Sequence, residues 1–98
     1  MRVVFVDIDG TICHTLNNSS DYNLSVPRVY MIEKINALYD NGDKIIYWTA
    51  RGGNSGKDWT ELTKRQLNEW GAKHHELRMD KPPYDVFYDD KAARIEDL

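Results

Sequence analysis

The chain has 98 residues, the size of one small domain, so we expect a single domain over residues 1–98. Its 13 Lys and Arg residues against 16 Asp and Glu give a formal charge of -3, which provides no positive field to gather nucleic acid or an anionic membrane. The apolar run before Asp7 has only four residues, against the roughly 20 of a membrane-spanning helix. We therefore expect a protein that does not enter membranes. The single cysteine, Cys13, cannot form an internal disulfide, and this favours a cytoplasmic location.

The first half of the chain predicts a strand, an irregular segment, a helix and a second strand. Residues 1–6 are β-branched and aromatic and stop at Asp7, as a buried strand does. Residues 10–26 are polar and indicate an exposed loop or a small hairpin. From Pro27 to Asn41, apolar residues recur at helical spacing, and residues 45–48 are apolar without alternation, as in a strand covered on both faces.

The second half continues the alternation. A helix is expected from Asp58, whose spacing to Glu61 fits a capping box, to Gly71. Residues 74–79 are a weak strand candidate, whereas residues 86–88 form a short apolar run that predicts another buried strand. This order predicts an α/β fold, a three-layer, Rossmann-like parallel sheet flanked by helices.

Acidic side chains follow two of the predicted strands. Asp7 and Asp9 are two residues apart, so an extended chain directs both side chains the same way. The carboxyl ends of parallel strands lie at one edge of the sheet, where ligands bind. We therefore expect Asp7 and Asp9 to lie close to Asp89 and Asp90 at that edge. Such a cluster would repel itself unless a hard cation neutralised it, so the sequence predicts bound Mg²⁺ with these four acids as candidate ligands.

Four more residues complete the parts for phosphoryl transfer. Gly10 lets the backbone turn sharply and approach a ligand, and the hydroxyl of Thr11 could brace a carboxylate. Thr49 offers a hydroxyl and the N–H groups that follow it, and Lys81 offers a cation for a phosphoryl group.

Four motifs occur in order over nearly the whole chain: Asp7-Ile8-Asp9-Gly10-Thr11, Trp48-Thr49-Ala50-Arg51-Gly52, Lys81 before Pro82, and Asp89-Asp90. With these motifs the sequence resembles the haloacid dehalogenase superfamily of aspartate-dependent phosphotransferases. The segments between the motifs leave no room for the cap domain of many members, so the chain looks like a minimal, capless member. In the last motif the acids are adjacent, whereas the family often spaces them apart.

The resemblance implies a Mg²⁺-dependent phosphatase that acts through an aspartyl-phosphate intermediate. Asp7 would be the nucleophile, Asp9 the general acid and base, Thr49 the phosphate-binding hydroxyl and Lys81 the stabiliser of charge. Of the two adjacent acids it favours Asp90, the acid directly before lysine, as the metal ligand.

The substrate is the least defined part of the prediction. Without a cap, only residues 10–26 and 51–57 lie near the expected site; they suggest His14, Arg51 and Asn54 as substrate contacts, beside Thr11 and Ala50. The acidic charge favours a small sugar phosphate over nucleic acid. Capless relatives of this length, which the chain resembles, include proteins associated with surface-polysaccharide synthesis.

Other functions use nearly the same residues. A phosphoacceptor signalling domain also gathers acids, a threonine and a lysine around Mg²⁺, but its acceptor lies on a middle strand, which here ends in Trp48-Thr49. A phosphate-binding module without turnover and a phosphatase of nucleic-acid ends stay open as alternatives, as does a homo-oligomer. A calcium loop is excluded by Ile12, and a nucleotide-binding P-loop by Arg51, because each stands where the motif needs glycine.

Overall fold

The structure, a computed structural model, describes residues 1–16, 21–53 and 55–98. The elements in chain order are β1 (Val3–Val6), β2 (Cys13–Thr15), β3 (Ser25–Pro27), α1 (Val29–Asp40), β4 (Lys44–Trp48), α2 (Thr60–Glu69) and β5 (Glu76–Arg78). Single 3-10 turns cover Tyr22–Leu24 and Ile95–Asp97. Within the described residues, no helix has the length and apolar character needed to cross a membrane.

A parallel sheet in the order β1-β4-β5 organises the molecule, which confirms the prediction of an α/β fold. Val4 lies beside Ile45 and Val6 beside Tyr47, and Tyr47 in turn lies beside Leu77. The carboxyl ends of these strands therefore share one edge. Strands β2 and β3 form a separate antiparallel hairpin, the second of the two forms expected for residues 10–26.

Both helices cover the same face of this sheet. Side chains of β1 and β4 on that face join one buried cluster with residues of both helices: Val6, Ile45, Tyr47, Ile32, Ile35 and Leu67. Both crossover connections step in the same direction along the sheet, and since such connections are right-handed, the two helices fall on one side. On the opposite face Val3 and Phe5 are 56% and 47% exposed. The described residues thus form two layers rather than the three expected.

The third strand of the sheet is not the one expected from the apolar run at residues 86–88. Strand β5 comes from the weaker candidate, residues 74–79, and the Nζ atom of Lys44 lies 2.8 Å from Oε2 of its Glu76. Residues 86–88 lie outside the strands and are exposed, with Tyr88 at 94%. That prediction is wrong: the backbone of residues 86–88 pairs with no strand, although the outer edge of β1 is open, because hydrophobicity over three residues does not by itself fix a pairing.

The helices begin slightly later than the sequence pattern indicates. Pro27 ends β3, and α1 begins at Val29. The N-cap residue of α2 is Trp59 and not Asp58, because the helix begins at Thr60. Asp58 lies one residue before the cap and its Oδ1 atom accepts the backbone N–H of Thr60 at 2.9 Å, so the expected capping box with Glu61 is not formed.

The buried hydroxyl of Tyr47 gives a stability prediction. It has no hydrogen-bond partner among the described residues, and burial raises the pKa of this phenol. Since an unpartnered buried polar group costs about 1–3 kcal/mol, we expect Tyr47→Phe to be at least as stable as the wild type in urea unfolding. Ile45→Ala, on the same face of β4, should lose about 2–5 kcal/mol. A clear loss in Tyr47→Phe would mean that its hydroxyl is bonded.

Candidate active site

The loop that follows β1 carries Asp7 and Asp9. Ile8 and Ile12 are fully buried and anchor this loop, and the N–H of Ile12 donates to the carbonyl of Ile8 at 2.9 Å. Gly10 has a φ of +81°, a left-handed conformation that glycine adopts without steric cost. The tight turn keeps the two acids only partly buried at the carboxyl edge of the sheet.

Lys81 is the cation beside Asp7. Its Nζ atom lies 3.4 Å from Oδ1 of Asp7, and only 13% of its side chain is exposed. The backbone N–H of Lys81 donates to the carbonyl of Thr49 at 3.2 Å, which ties this segment to the end of β4. Burial raises the pKa of Asp7, and the nearby Lys81 only partly opposes this effect.

Asp9 is held by a buried arginine. Nη2 of Arg51 donates to Oδ1 of Asp9 at 2.9 Å, and Nε donates to Oδ2 at 3.0 Å. The side chain of Arg51 is 0% exposed, and that of Asp9 is 31% exposed. The sequence predicts a substrate contact for Arg51, but in the structure its guanidinium is committed to protein groups.

Two cavities meet at these acids. The acid pocket, of about 310 Å³, is lined by Asp7, Asp9, Tyr22, Ala50, Arg51, Lys81, Pro82, Pro83 and Tyr84. The edge groove, of about 880 Å³, runs along the open edge of β1 and also includes Asp7, Asp9 and Thr11. Asp89 lines the edge groove as well, whereas Asp90 is not among its lining residues.

Of the remaining predicted site residues, some lie at the acid pocket and others lie away from both cavities. Thr49 is 1% exposed, and its Oγ1 atom accepts the backbone N–H of Arg51 at 3.2 Å, so it lies behind the acid pocket while Ala50 lines it. His14 lies on the exposed side of β2 opposite Val26 and lines neither cavity. Asn54 lies outside the described residues.

The acids present fit a magnesium ion with few protein ligands. No group of three His, Cys, Asp or Glu side chains in residues 1–16, 21–53 and 55–98 could hold a metal ion alone. Mg²⁺ does not require one, because it usually keeps several waters and binds one or two carboxylates plus substrate phosphate. Asp7 and Asp89 line the same groove, whereas Arg51 already binds both oxygens of Asp9. Of the four predicted metal ligands, Asp7 and Asp89 are thus the two that line this groove and are not held by Arg51.

Sequence reasoning missed the side chains behind Asp9. Thr63 and Gln66 are buried polar residues of α2, and both accept hydrogen bonds from Arg51. Their spacing puts them on the same helix face as Leu67. Polar residues on the core-facing side of a predicted helix were therefore the sequence signal that could have indicated a buried polar partner. Cys13, next to this site, is buried, and burial raises the pKa of its thiol to about 12.

The raised pKa of Asp7 predicts a pH-dependent stability difference. A carboxyl that binds its proton more tightly when folded stabilises the protein less as pH rises through its folded pKa, so Asp7→Asn should gain stability relative to the wild type as the pH rises above about 4. Thermal unfolding with EDTA present would measure this difference. Asp43 is the matched control, because its hydrogen bond to Arg2 lowers its pKa: Asp43→Asn should be less stable than the wild type above about pH 4, and this difference should shrink only below that pH. An Asp7→Asn difference that does not change with pH would contradict the assignment.

Comparison with solved structures finds a relative that shares this fold. No family model and no curated protein matches the chain. A crystal structure of an MCSG target from Vibrio cholerae superimposes with a TM-score of 0.82 at 30% sequence identity. The match covers 99% of this chain and 86% of the other. At this identity and coverage, the chain belongs to the same family as that Vibrio cholerae protein.

Proposed function

We propose that the chain is a Mg²⁺-dependent phosphomonoesterase of the haloacid dehalogenase type, acting through an aspartyl-phosphate. The observation that carries the proposal is the pairing of two acids with two different cations in one pocket. Nζ of Lys81 lies 3.4 Å from Oδ1 of Asp7. The Nη2 and Nε groups of Arg51, which together form a fork, donate to the two carboxylate oxygens of Asp9 at 2.9 and 3.0 Å. Different surroundings are what allow neighbouring carboxylates to divide the roles of nucleophile and acid–base.

The first step transfers the phosphoryl group to Asp7. A carboxylate oxygen of Asp7 attacks phosphorus, the bond from phosphorus to the ester oxygen breaks, and Asp9 gives that oxygen a proton as it leaves. Lys81 stabilises the negative charge on the phosphoryl oxygens.

The second step releases phosphate. Asp9, now a carboxylate, takes a proton from water as the water oxygen attacks phosphorus, and the bond to Asp7 breaks with its electron pair returning to the carboxylate. Both acids end in their starting states. Asp7 and Asp89 would hold the magnesium ion, whose charge would neutralise the phosphoryl oxygens.

A small phosphorylated substrate suits the acid pocket best. Its volume of about 310 Å³ is at the lower end of the range for ligand sites. Tyr22 and Tyr84 line it, and aromatic rings pack well against the apolar faces of a sugar. These features favour a sugar phosphate over the end of a nucleic acid, which the formal charge of -3 also disfavours.

Phosphatase activity gives the primary test. We expect phosphate release from sugar phosphates that requires Mg²⁺ and stops with EDTA. Asp7→Asn should abolish turnover and acid-stable phosphate labelling of the protein, because an amide is a poor nucleophile toward phosphorus. Asp85→Asn, at an exposed acid outside the motifs, is the control.

The outcomes separate the alternatives. No release from sugar, nucleotide or oligonucleotide phosphates would overturn the proposal. Stable labelling of Asp7 without turnover would favour a phosphoacceptor module, and preference for oligonucleotide ends would favour a nucleic-acid phosphatase.

The two adjacent acids near the C-terminus give a second test. Because Asp89 and not Asp90 lines the edge groove with Asp7, we expect Asp89→Asn to raise the Mg²⁺ concentration needed for half-maximal activity by about 10–100-fold. Asp90→Asn should change it much less. The reverse order would return the ligand role to Asp90, as the sequence resemblance implies, and no effect from either variant would move the metal site elsewhere.

A further inference from the structure

We propose that Arg51 is the positioning residue that orients Asp9 for proton transfer to the leaving group. This inference rests on the proposed phosphatase function. It starts from a buried guanidinium that none of the reaction steps above uses. An arginine with no exposed side-chain area is costly unless its charge is paired and its donors are satisfied.

The guanidinium meets that requirement completely. Its five N–H bonds have five oxygen acceptors: Oδ2 of Asp9 for Nε, Oγ1 of Thr63 and Oε1 of Gln66 for Nη1, and Oδ1 of Asp9 and Oγ of Ser25 for Nη2. Nothing is left for a substrate. The arginine therefore acts on chemistry only through Asp9.

Helix α2 and the Tyr22 turn fix the guanidinium from behind. The bonds from Nη1 to Thr63 and Gln66 are 3.0 and 2.6 Å long. Gln66 also donates to the carbonyl of Tyr22 at 2.6 Å, and the ring of Tyr22 lies 4.6 Å from Cζ of Arg51. These contacts fix the plane of the guanidinium. Its Nε and Nη2 groups can therefore donate to the Asp9 carboxylate in one orientation only.

This orientation distinguishes the two oxygens of Asp9. Oδ1 receives Nη2 of Arg51 at 2.9 Å and lies 3.5 Å from the buried Sγ atom of Cys13, whereas Oδ2 receives Nε at 3.0 Å. A carboxylate oxygen has two lone-pair sites. Oδ2 therefore keeps an open site, and we assign to it the proton that goes to the leaving oxygen.

Substrates with different leaving groups provide the test, because a strongly basic leaving oxygen must be protonated as it departs and a weakly basic one need not be. Phosphoryl transfer from an alkyl phosphate such as glycerol phosphate needs that proton, whereas p-nitrophenolate departs without one. We expect Arg51→Lys, which keeps the charge but loses the fork, to lower kcat/KM about 100-fold for glycerol phosphate and less than about tenfold for p-nitrophenyl phosphate. A purely structural role would lower both equally.

Further variants make the result specific. Arg51→Lys added to Asp9→Asn should cost little more than Asp9→Asn alone, because both changes remove the same proton transfer. Arg65→Gln on the outer side of α2, where the side chain is 62% exposed, should leave both substrates unaffected. If Arg51→Lys does not fold, Gln66→Met removes one anchor of the fork and should give a smaller loss with the same preference for glycerol phosphate.

The possible failures are distinguishable. A wild-type protein that hydrolyses neither substrate overturns the proposed function and this inference with it. An active wild type whose Arg51 and Gln66 variants lose activity equally on both substrates, or lose none, overturns the role of Arg51 alone.

Discussion

The buried ion pair between Arg51 and Asp9 is the interaction on which the acid pocket depends. It joins the loop after β1 to the loop after β4, and through Gln66 it also joins α2. Removing Asp9 would leave the fully enclosed charge of Arg51 without its carboxylate partner, which costs more than the pair contributes. The pocket geometry and the stability of this half of the molecule are therefore coupled.

Electrostatics divides the two acids of the motif. Asp9 receives its compensation from a cation that is fully enclosed, whereas Asp7 has a longer contact with Lys81 and a pKa that burial raises. The folded chain thus holds Asp7 at some cost to its own stability. A cost of this kind is common at sites where a charge is exposed to substrate rather than to protein.

The open edge of β1 explains the position of Asp89. With both helices on one face and β4 on one side, the other edge of β1 faces the groove that the C-terminal segment borders. Arg28 anchors this segment, because it donates to the carbonyl of Thr11 at 3.0 Å and pairs with Glu96 at 3.4 Å. The tail is thereby attached to the same loop that carries Asp7.

The sequence alone determined the alternation of strands and helices and the place of Asp7 and Asp9 together after the first strand, because apolar periodicity and strand ends are local signals. Tertiary structure decided which edges pair, so residues 74–79 and not 86–88 supply the third strand. It also decided the role of Arg51. A charged residue after a strand looks like a substrate contact until the chain folds. Only the tertiary structure, which brings Asp9, Ser25 and α2 around the guanidinium, reveals five protein acceptors and no exposed side-chain surface.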